Sequence, residues 1–94
     1  MEISLAVMNP NDNVATAVRD ISANETVKDD NGQEITVIDP IPFGHKAAIS
    51  KIPAGAEVIK YGEPIGIAVT EIKVGCHVHV HNVEGARGRG DKRG

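Results

Sequence analysis

The stretch AISKIPAGAEV, residues 48–58, sets the plan of this chain because two other stretches follow the same pattern. AVRDISANETV begins at residue 17 and AVTEIKVGCHV begins at residue 68, and the three align without gaps. Each has Ala, then Ile four residues on, then Gly or Asn three further on, then Val after another three. Three matches of this spacing indicate one structural unit that is used repeatedly.

The physics of the pattern predicts a strand, a tight turn and a second strand. Gly55 and Gly75 hold the turn position, where a positive φ costs glycine less than other residues. Asn24 holds the same position in the unit that begins at residue 17, and Asn is the next most tolerant residue there. The isoleucine of each unit is expected to tuck under the turn, and each unit then continues into a short alternating strand.

The remaining segments also favour an all-β fold. We expect a first strand at residues 3–8, a tight hairpin around Asp30-Asn31-Gly32 and a further turn in YGEP, residues 61–64. Residues 12–15 have the composition to start one helical turn, since Asp and Asn cap helices well. The repeat argues against any long helix there.

Composition predicts a single small domain. The chain has 94 residues, and Phe43 and Tyr61 are its only aromatic side chains, so the core must consist of small and β-branched aliphatic residues. We place the domain at residues 1–84 and a glycine- and arginine-rich tail at residues 85–94. The tail has no large apolar group, so we expect it to be flexible in the isolated chain and to become ordered on a partner or an anionic ligand.

Charge and cysteine content exclude several classes of function. The body carries a net charge of −6 and the last ten residues carry +3, so an acidic surface argues against a nucleic-acid-binding domain. The opening MEISLAVMNP has no basic targeting segment, and no apolar run approaches the length of a membrane span. Cys76 is the only cysteine, which rules out an intrachain disulfide and is compatible with the cytoplasm, where we expect the protein to reside.

The stretch GCHVHVHN, residues 75–82, contains three of the four histidines. In a regular strand His77, His79 and His81 would share an outward face, while Val78 and Val80 would pack inward. His77 and His81 would then lie about 13 Å apart, so one metal ion would reach two neighbours but not all three. The spacing leaves three interpretations open: a solvated or hydrogen-bonded face, a metal-binding pair, and an acid–base or substrate-binding site.

The fourth histidine lies in IPFGHK, residues 41–46. It is either a loop histidine in water or an imidazole beside the Lys46 ammonium, held by a rigid turn that contains proline and placed to meet an anion. Gly44 lets a ligand or partner approach the backbone closely.

Together NPNDNVATAVRDI, IPFGHKAAISKIPAGAEVIKYGEPIG and GCHVHVHNVEGARGRGD resemble the SAF domain of the altronate and galactarate dehydratases, over nearly the whole chain. That domain is a small β-clip fold, and the chain also resembles the small subunit of sulfolactate sulfo-lyase. Asn24 departs from the glycine that is usual in such units. The large catalytic domain of the family is not among these residues, so we expect either a separate large subunit or a different role.

The resemblance implies lyase chemistry on a sugar acid. Water leaves a 2,3-dihydroxy carboxylate, and the enol becomes a 2-keto-3-deoxy acid. The implied cofactor is a divalent metal, Fe²⁺ or Mn²⁺, held mostly by the partner subunit. The expected partners are a large catalytic dehydratase subunit and the sugar-acid substrate, with no nucleic acid or membrane, and the chain is a possible homo-oligomer. The alternatives are a non-catalytic SAF module that binds a sugar acid or a protein, and a metal-buffering protein.

The motifs and the resemblance together select the candidate site. The selected residues are His45, His79 and His81 as catalytic groups; Lys46, Asn82, Arg87 and Arg89 as substrate-binding groups; and His79 and His81 as metal ligands.

Overall fold

A computed structural model of the chain describes residues 2–85, which form nine strands and no helix. The all-β prediction is therefore confirmed for the described residues. The strands are β1 (Ile3–Ala6), β2 (Val14–Ala17), β3 (Thr26–Asp29), β4 (Glu34–Thr36), β5 (Lys46–Ala48), β6 (Glu57–Lys60), β7 (Glu63–Ala68), β8 (His77–Val78) and β9 (Val83–Glu84). Six of them form one sheet in the order β4-β3-β1-β2-β5-β8, and β6-β7-β9 form a second sheet.

The predicted turns of the repeat are confirmed. Asn24 has φ 69°, Gly55 has φ 86° and Gly75 has φ 90°, so all three turn positions adopt the left-handed backbone that the pattern requires. The isoleucine three residues before each turn position is almost fully buried, as expected for a side chain that packs beneath the turn. These residues are Ile21, Ile52 and Ile72.

The structure contains a fourth unit that the sequence pattern did not reveal. Residues 37–47 repeat the same course, with Ile41 buried and Gly44 at φ 84°. Val37 replaces the opening alanine and Ala47 replaces the closing valine, so the alignment of the other three units does not extend to it. The backbone turn is retained because the isoleucine and the glycine are retained.

The four units associate in two pairs, which we call the first clip (units 17–27 and 37–47) and the second clip (units 48–58 and 68–78). In the first clip, Ile21 and Ile41 exchange a pair of backbone hydrogen bonds. Ile52 and Ile72 exchange the same pair of bonds in the second clip. The turn residue of each unit also donates to the opening residue of its partner, as Gly44 does to Ala17 at 2.9 Å.

Each clip has an apolar core of its own made of aliphatic residues, as composition predicted. The first contains Leu5, Ala15, Ala17, Ile21, Val27, Ile35, Val37, Ile41 and Ala47. The second contains Val14, Ala48, Ile52, Val58, Ala68, Ile72 and Val78. Both aromatic side chains lie outside these cores, since Phe43 and Tyr61 are exposed.

The helical turn expected at residues 12–15 is wrong, because β2 begins at Val14. The side chains that would have capped a helix instead hold the β6–β7 hairpin. The Asp12 carboxylate accepts hydrogen bonds from the backbone N–H groups of Tyr61 and Gly62, at 3.0 and 2.8 Å. Asn13 accepts one from the backbone N–H of Ile59 at 2.8 Å.

The two clips meet edge to edge through β5 and β8, which pair antiparallel with Lys46 opposite Val78 and Ala47 opposite His77. Gly75 also packs against the first clip, and its carbonyl accepts a hydrogen bond from the backbone N–H of Ile38 at 2.8 Å. This junction positions the histidines. Within residues 2–85, no helix is long and apolar enough to cross a membrane.

Candidate functional site

The histidine stretch is a strand for only two residues, His77 and Val78, and then turns. Val78 is fully buried, as predicted, but the prediction that Val80 packs inward is wrong, because Val80 is 82% exposed. The alternation of a regular strand therefore ends at Val78. The histidines that follow are placed by a turn.

Asn82 shapes this turn. Its side-chain oxygen accepts a hydrogen bond from the backbone N–H of His79 at 3.0 Å, and its side-chain nitrogen donates to the carbonyl of His77 at 2.9 Å. The backbone N–H of Asn82 donates to the carbonyl of His79 at 3.1 Å. Both ends of the nearly buried Asn82 amide therefore position the histidines. The substrate-binding role of Asn82 stays a prediction.

His45, the residue directly before β5, also joins the cluster. If the β5–β8 register is continued one residue outward, His45 lies opposite His79, and their ring centroids are 4.7 Å apart. His45 Nδ1 and His77 Nε2 are 2.9 Å apart, within hydrogen-bond distance. One ligand nitrogen from each of His45, His77 and His79 can be chosen so that all three lie within 4.8 Å of one another.

This convergence is compatible with the geometric argument from the sequence, which allowed two neighbouring histidines of residues 77–81 to reach one metal ion and required any further ligand to come from elsewhere in the chain. The converging neighbours are His77 and His79, whereas the pair that we named was His79 and His81. The third imidazole belongs to His45, directly before β5, and His79 lies in the turn that follows Val78. His77 was not among our candidate residues, since no signal in the sequence showed that β5 and β8 pair.

His81 lies at the margin of this cluster. Its ring is exposed and tilted against that of His77, with centroids 5.5 Å apart. It is not one of the three residues whose ligand atoms converge. The catalytic role of His81 and its pairing with His79 on a metal ion stay predictions.

The environment of His77 favours its neutral form. Burial lowers the pKa of His77, and the nearby imidazoles of His45, His79 and His81 lower it further, while Asp39 acts in the opposite direction. Asp39 also accepts a hydrogen bond from the backbone N–H of His77 at 2.9 Å. A neutral imidazole keeps one ring nitrogen available as a hydrogen-bond acceptor, proton acceptor or metal ligand.

A groove of about 280 Å³ lies beside the cluster. Its walls are mostly aliphatic, with His79, Lys46 and Glu84 as their polar side chains. Those walls are formed by Lys46, Val58, Ile65, Val78, His79, Val80, Val83, Glu84 and Gly85. His79 thus belongs to both the histidine cluster and the groove.

Lys46 provides a cation in this groove. Burial lowers the pKa of Lys46, and the charge of Lys60 lowers it further. Two nearby ammonium groups create a field that attracts an anion such as a carboxylate. The other predicted anion-binding residues, Arg87 and Arg89, lie outside the described residues, as does nearly all of the tail.

Comparison with known proteins identifies relatives of this domain. A profile of the altronate/galactarate dehydratase SAF domain matches residues 3–86. The altronate dehydratase of Escherichia coli K12 is 48% identical over 71 residues, which are 76% of this chain and 14% of that enzyme. The galactarate dehydratase (L-threo-forming) of the same organism is 43% identical over 67 residues, which are 71% of this chain and 12% of the enzyme.

A second kind of relative has a length closer to that of this chain. The (2R)-sulfolactate sulfo-lyase subunit alpha of Paracoccus pantotrophus is 44% identical over 59 residues, which are 63% of this chain and 88% of that subunit. The chain therefore spans about a seventh of the altronate dehydratases and most of this small subunit. Its similarity to both kinds of relative confirms the resemblance noted from the motifs.

Proposed function

This chain belongs to the SAF-domain family of the altronate and galactarate dehydratases, and from that premise we propose that it is the small subunit of a sugar-acid hydro-lyase. In this proposal the SAF domain completes an active site whose other wall comes from a separate large subunit. The substrate is a sugar acid of the altronate type, and the product is a 2-keto-3-deoxy acid.

The observation that carries the proposal is the histidine cluster beside an open groove. His45, His77 and His79 bring their ring nitrogens together at the junction of the two clips. The groove next to them is lined in part by Lys46, and it is open to solvent rather than enclosed. The site therefore offers imidazole and ammonium groups but is not enclosed, which suits a surface that a larger partner subunit covers.

The chemistry of dehydration fits these groups. A proton α to a carboxylate must be removed, and a histidine is a base of suitable pKa. We propose that Lys46, which lines the groove, holds the substrate carboxylate. The proposed cofactor, Fe²⁺ or Mn²⁺, supplies stabilisation of the charge that develops on the carboxylate and assists the departing hydroxyl.

The proposal is tested by reconstitution. The chain is purified alone and together with a large subunit of the altronate dehydratase type from the same genome, and 2-keto-3-deoxy acid formation from altronate is measured. We expect turnover only from the two together. Full activity from the small chain alone, or no association with the large subunit, would refute the subunit role.

Variants of the reconstituted enzyme test the proposed roles. Replacing His45, His79 or His81 by alanine is expected to abolish turnover and leave assembly intact. Lys46→Ala is expected to raise KM for the substrate, because it removes the cation from the groove. Lys51→Ala, on an exposed edge of the second clip, is the matched control and should leave KM unchanged.

A sulfo-lyase is the second candidate, favoured by the 88% coverage of the Paracoccus pantotrophus subunit alpha. Sulfite release from (2R)-sulfolactate, measured with the same reconstituted pair, distinguishes it from a hydro-lyase. If the chain associates with a partner and supports neither reaction, it is instead a non-catalytic SAF module for binding or assembly.

A further inference from the structure

We infer that His45, His77 and His79 form a metal-binding site that this chain supplies by itself. The site would take one first-row divalent transition metal ion through three imidazole nitrogens. This differs from a cofactor held mostly by the partner subunit. It requires neither the large subunit nor the substrate.

The distance between two of the ligand atoms already suits a bound ion. Metal–nitrogen bonds are about 2.1 Å long, so two nitrogens on one ion lie roughly 3.0 Å apart at a right angle and roughly 3.4 Å apart in a tetrahedron. His45 Nδ1 and His77 Nε2 are 2.9 Å apart. An ion would take the place of the hydrogen bond between these two nitrogens, and the imidazole that donates in that bond would carry its proton on its other ring nitrogen instead.

The third ligand needs only a small adjustment. The three ligand atoms lie within 4.8 Å of one another, whereas two nitrogens on one tetrahedral ion are about 3.4 Å apart. A movement of about 1.5 Å or less therefore brings all three within bonding distance. The His79 ring is exposed and follows the end of β8, so its side chain has room to turn toward the other two.

The backbone around the cluster is held in place before any ion binds. The Asn82 amide bridges His77 and His79, and the Asp39 carboxylate accepts the backbone N–H of His77. In the turn before β5, the backbone N–H of His45 donates to the carbonyl of Pro42 at 2.9 Å. Ligands that are positioned in advance lose less conformational entropy when the ion binds.

The donor set indicates which ions fit. Three neutral imidazoles suit zinc, copper, iron and nickel, whereas manganese and magnesium prefer carboxylate and other oxygen ligands. The cluster therefore favours Fe²⁺ over Mn²⁺ as a resident cation. Three protein ligands also leave positions open for water or a substrate oxygen. The idea that a substrate oxygen occupies an open position on the ion rests on the proposed function, whereas the metal site itself does not.

The test titrates the full chain, stripped of metal and without any partner, with Co²⁺ and Zn²⁺. We expect one ion per chain, a visible absorption band for Co²⁺ and a Kd for Zn²⁺ below about 10 µM at pH 7. Alanine at position 45, 77 or 79 should weaken Zn²⁺ binding by roughly 100-fold or more, and His81→Ala should change it by less than about threefold. Circular dichroism checks that each variant is folded.

Histidine nitrogen chemical shifts of the unmodified chain provide a measurement that does not depend on the variants. Zn²⁺ should shift His45 at Nδ1, His77 at Nε2 and one ring nitrogen of His79, and should leave His81 nearly unchanged. Absence of saturable one-to-one binding would overturn the inference, as would an equal loss of affinity in His79→Ala and His81→Ala. Neither outcome would refute the lyase proposal, because a large subunit could still hold the metal.

Discussion

The two clips follow one backbone plan and differ in what they present at their edges. In all four units a residue of positive φ is followed by two residues whose side chains face outward or lie at the margin of the core. These pairs are Glu25-Thr26 and His45-Lys46 in the first clip, and Ala56-Glu57 and Cys76-His77 in the second. The candidate site forms where β5 of the first clip meets β8 of the second, the edge at which both units carry histidine.

The comparison also shows that equal turns can have unequal surroundings. Gly55 and Gly75 hold equivalent positions in the second clip, and their φ angles differ by only a few degrees. A Cβ at Gly55 would meet nothing within 4 Å, whereas a Cβ at Gly75 would clash with the carbonyl oxygen of Thr36 and would lie 3.1 Å from Cα of Val37 in the first clip. The repeat dictates the turn, and the packing of one clip on the other dictates how much room the turn has.

The largest expected effect comes from the residue that joins the core of the second clip to the histidine turn. Val78→Asp places a charge in a fully buried position, and we expect the unfolding free energy to fall by more than about 3 kcal/mol. Val80→Asp is the matched control: because Val80 is exposed, the change should be within about 0.5 kcal/mol. Denaturant unfolding followed by circular dichroism measures both.

If the two valine variants lost similar stability, Val80 would be a core residue. The end of the strand at Val78 would then be wrong. The placement of His79 toward His45 would be wrong with it.

A middle-sized effect is expected at the two turn glycines. Gly55→Ala should lower the unfolding free energy by about 1–2 kcal/mol, because alanine is strained at positive φ. Gly75→Ala carries the same strain and also a clash with backbone of the first clip, so its loss should be at least about twice as large. Thermal and denaturant unfolding of the two variants give the ratio, and equal losses would mean that the clips separate easily at this contact.

The smallest effect concerns the ion pair between Arg19 and Glu25 in the first clip. The position equivalent to Glu25 in unit 48–58 of the second clip is Ala56, which cannot form such a pair. Glu25 accepts a hydrogen bond from the backbone N–H of Ser22 at 3.0 Å and pairs with Arg19. The hydrogen bond from Arg19, and then the hydrogen bond from the backbone N–H of Ser22, lower the pKa of Glu25 below its ordinary value. The folded state therefore binds this proton less readily than the unfolded state, so the pair stabilises the fold above the ordinary pKa and loses its effect as pH falls through the lowered pKa.

Glu25→Gln should reduce Tm slightly at pH 6–7, by a few degrees at most because the pair is exposed to solvent. The difference in Tm between the two proteins should disappear as the pH approaches 2. Differential scanning calorimetry over this pH range measures it. A difference that persists unchanged at pH 2 would mean that the variant acts through something other than the charge of Glu25.

Much of the fold is readable from local pattern. The positive φ at Asn24 and Gly75 and the burial of Ile52 follow from spacing within eleven residues, and the structure confirms them. The fourth unit was missed since Val37 and Ala47 depart from the shared pattern at both ends. The helical turn at residues 12–15 was predicted wrongly because the capping potential of Asp12 is a local property, while the hairpin that uses its carboxylate lies far along the chain.

The sequence by itself therefore determined the all-β class, the turns, the aliphatic core and the family, because each depends on residue type and short-range spacing. Only the tertiary structure decided which histidines meet. His45 and His77 are 32 residues apart in sequence, and their contact depends on the antiparallel register of β5 against β8. Strand pairing depends on backbone hydrogen bonds and on the burial of both clip cores, which involve residues far apart in sequence. The spacing of histidines along one strand therefore does not reveal which strand pairs with it.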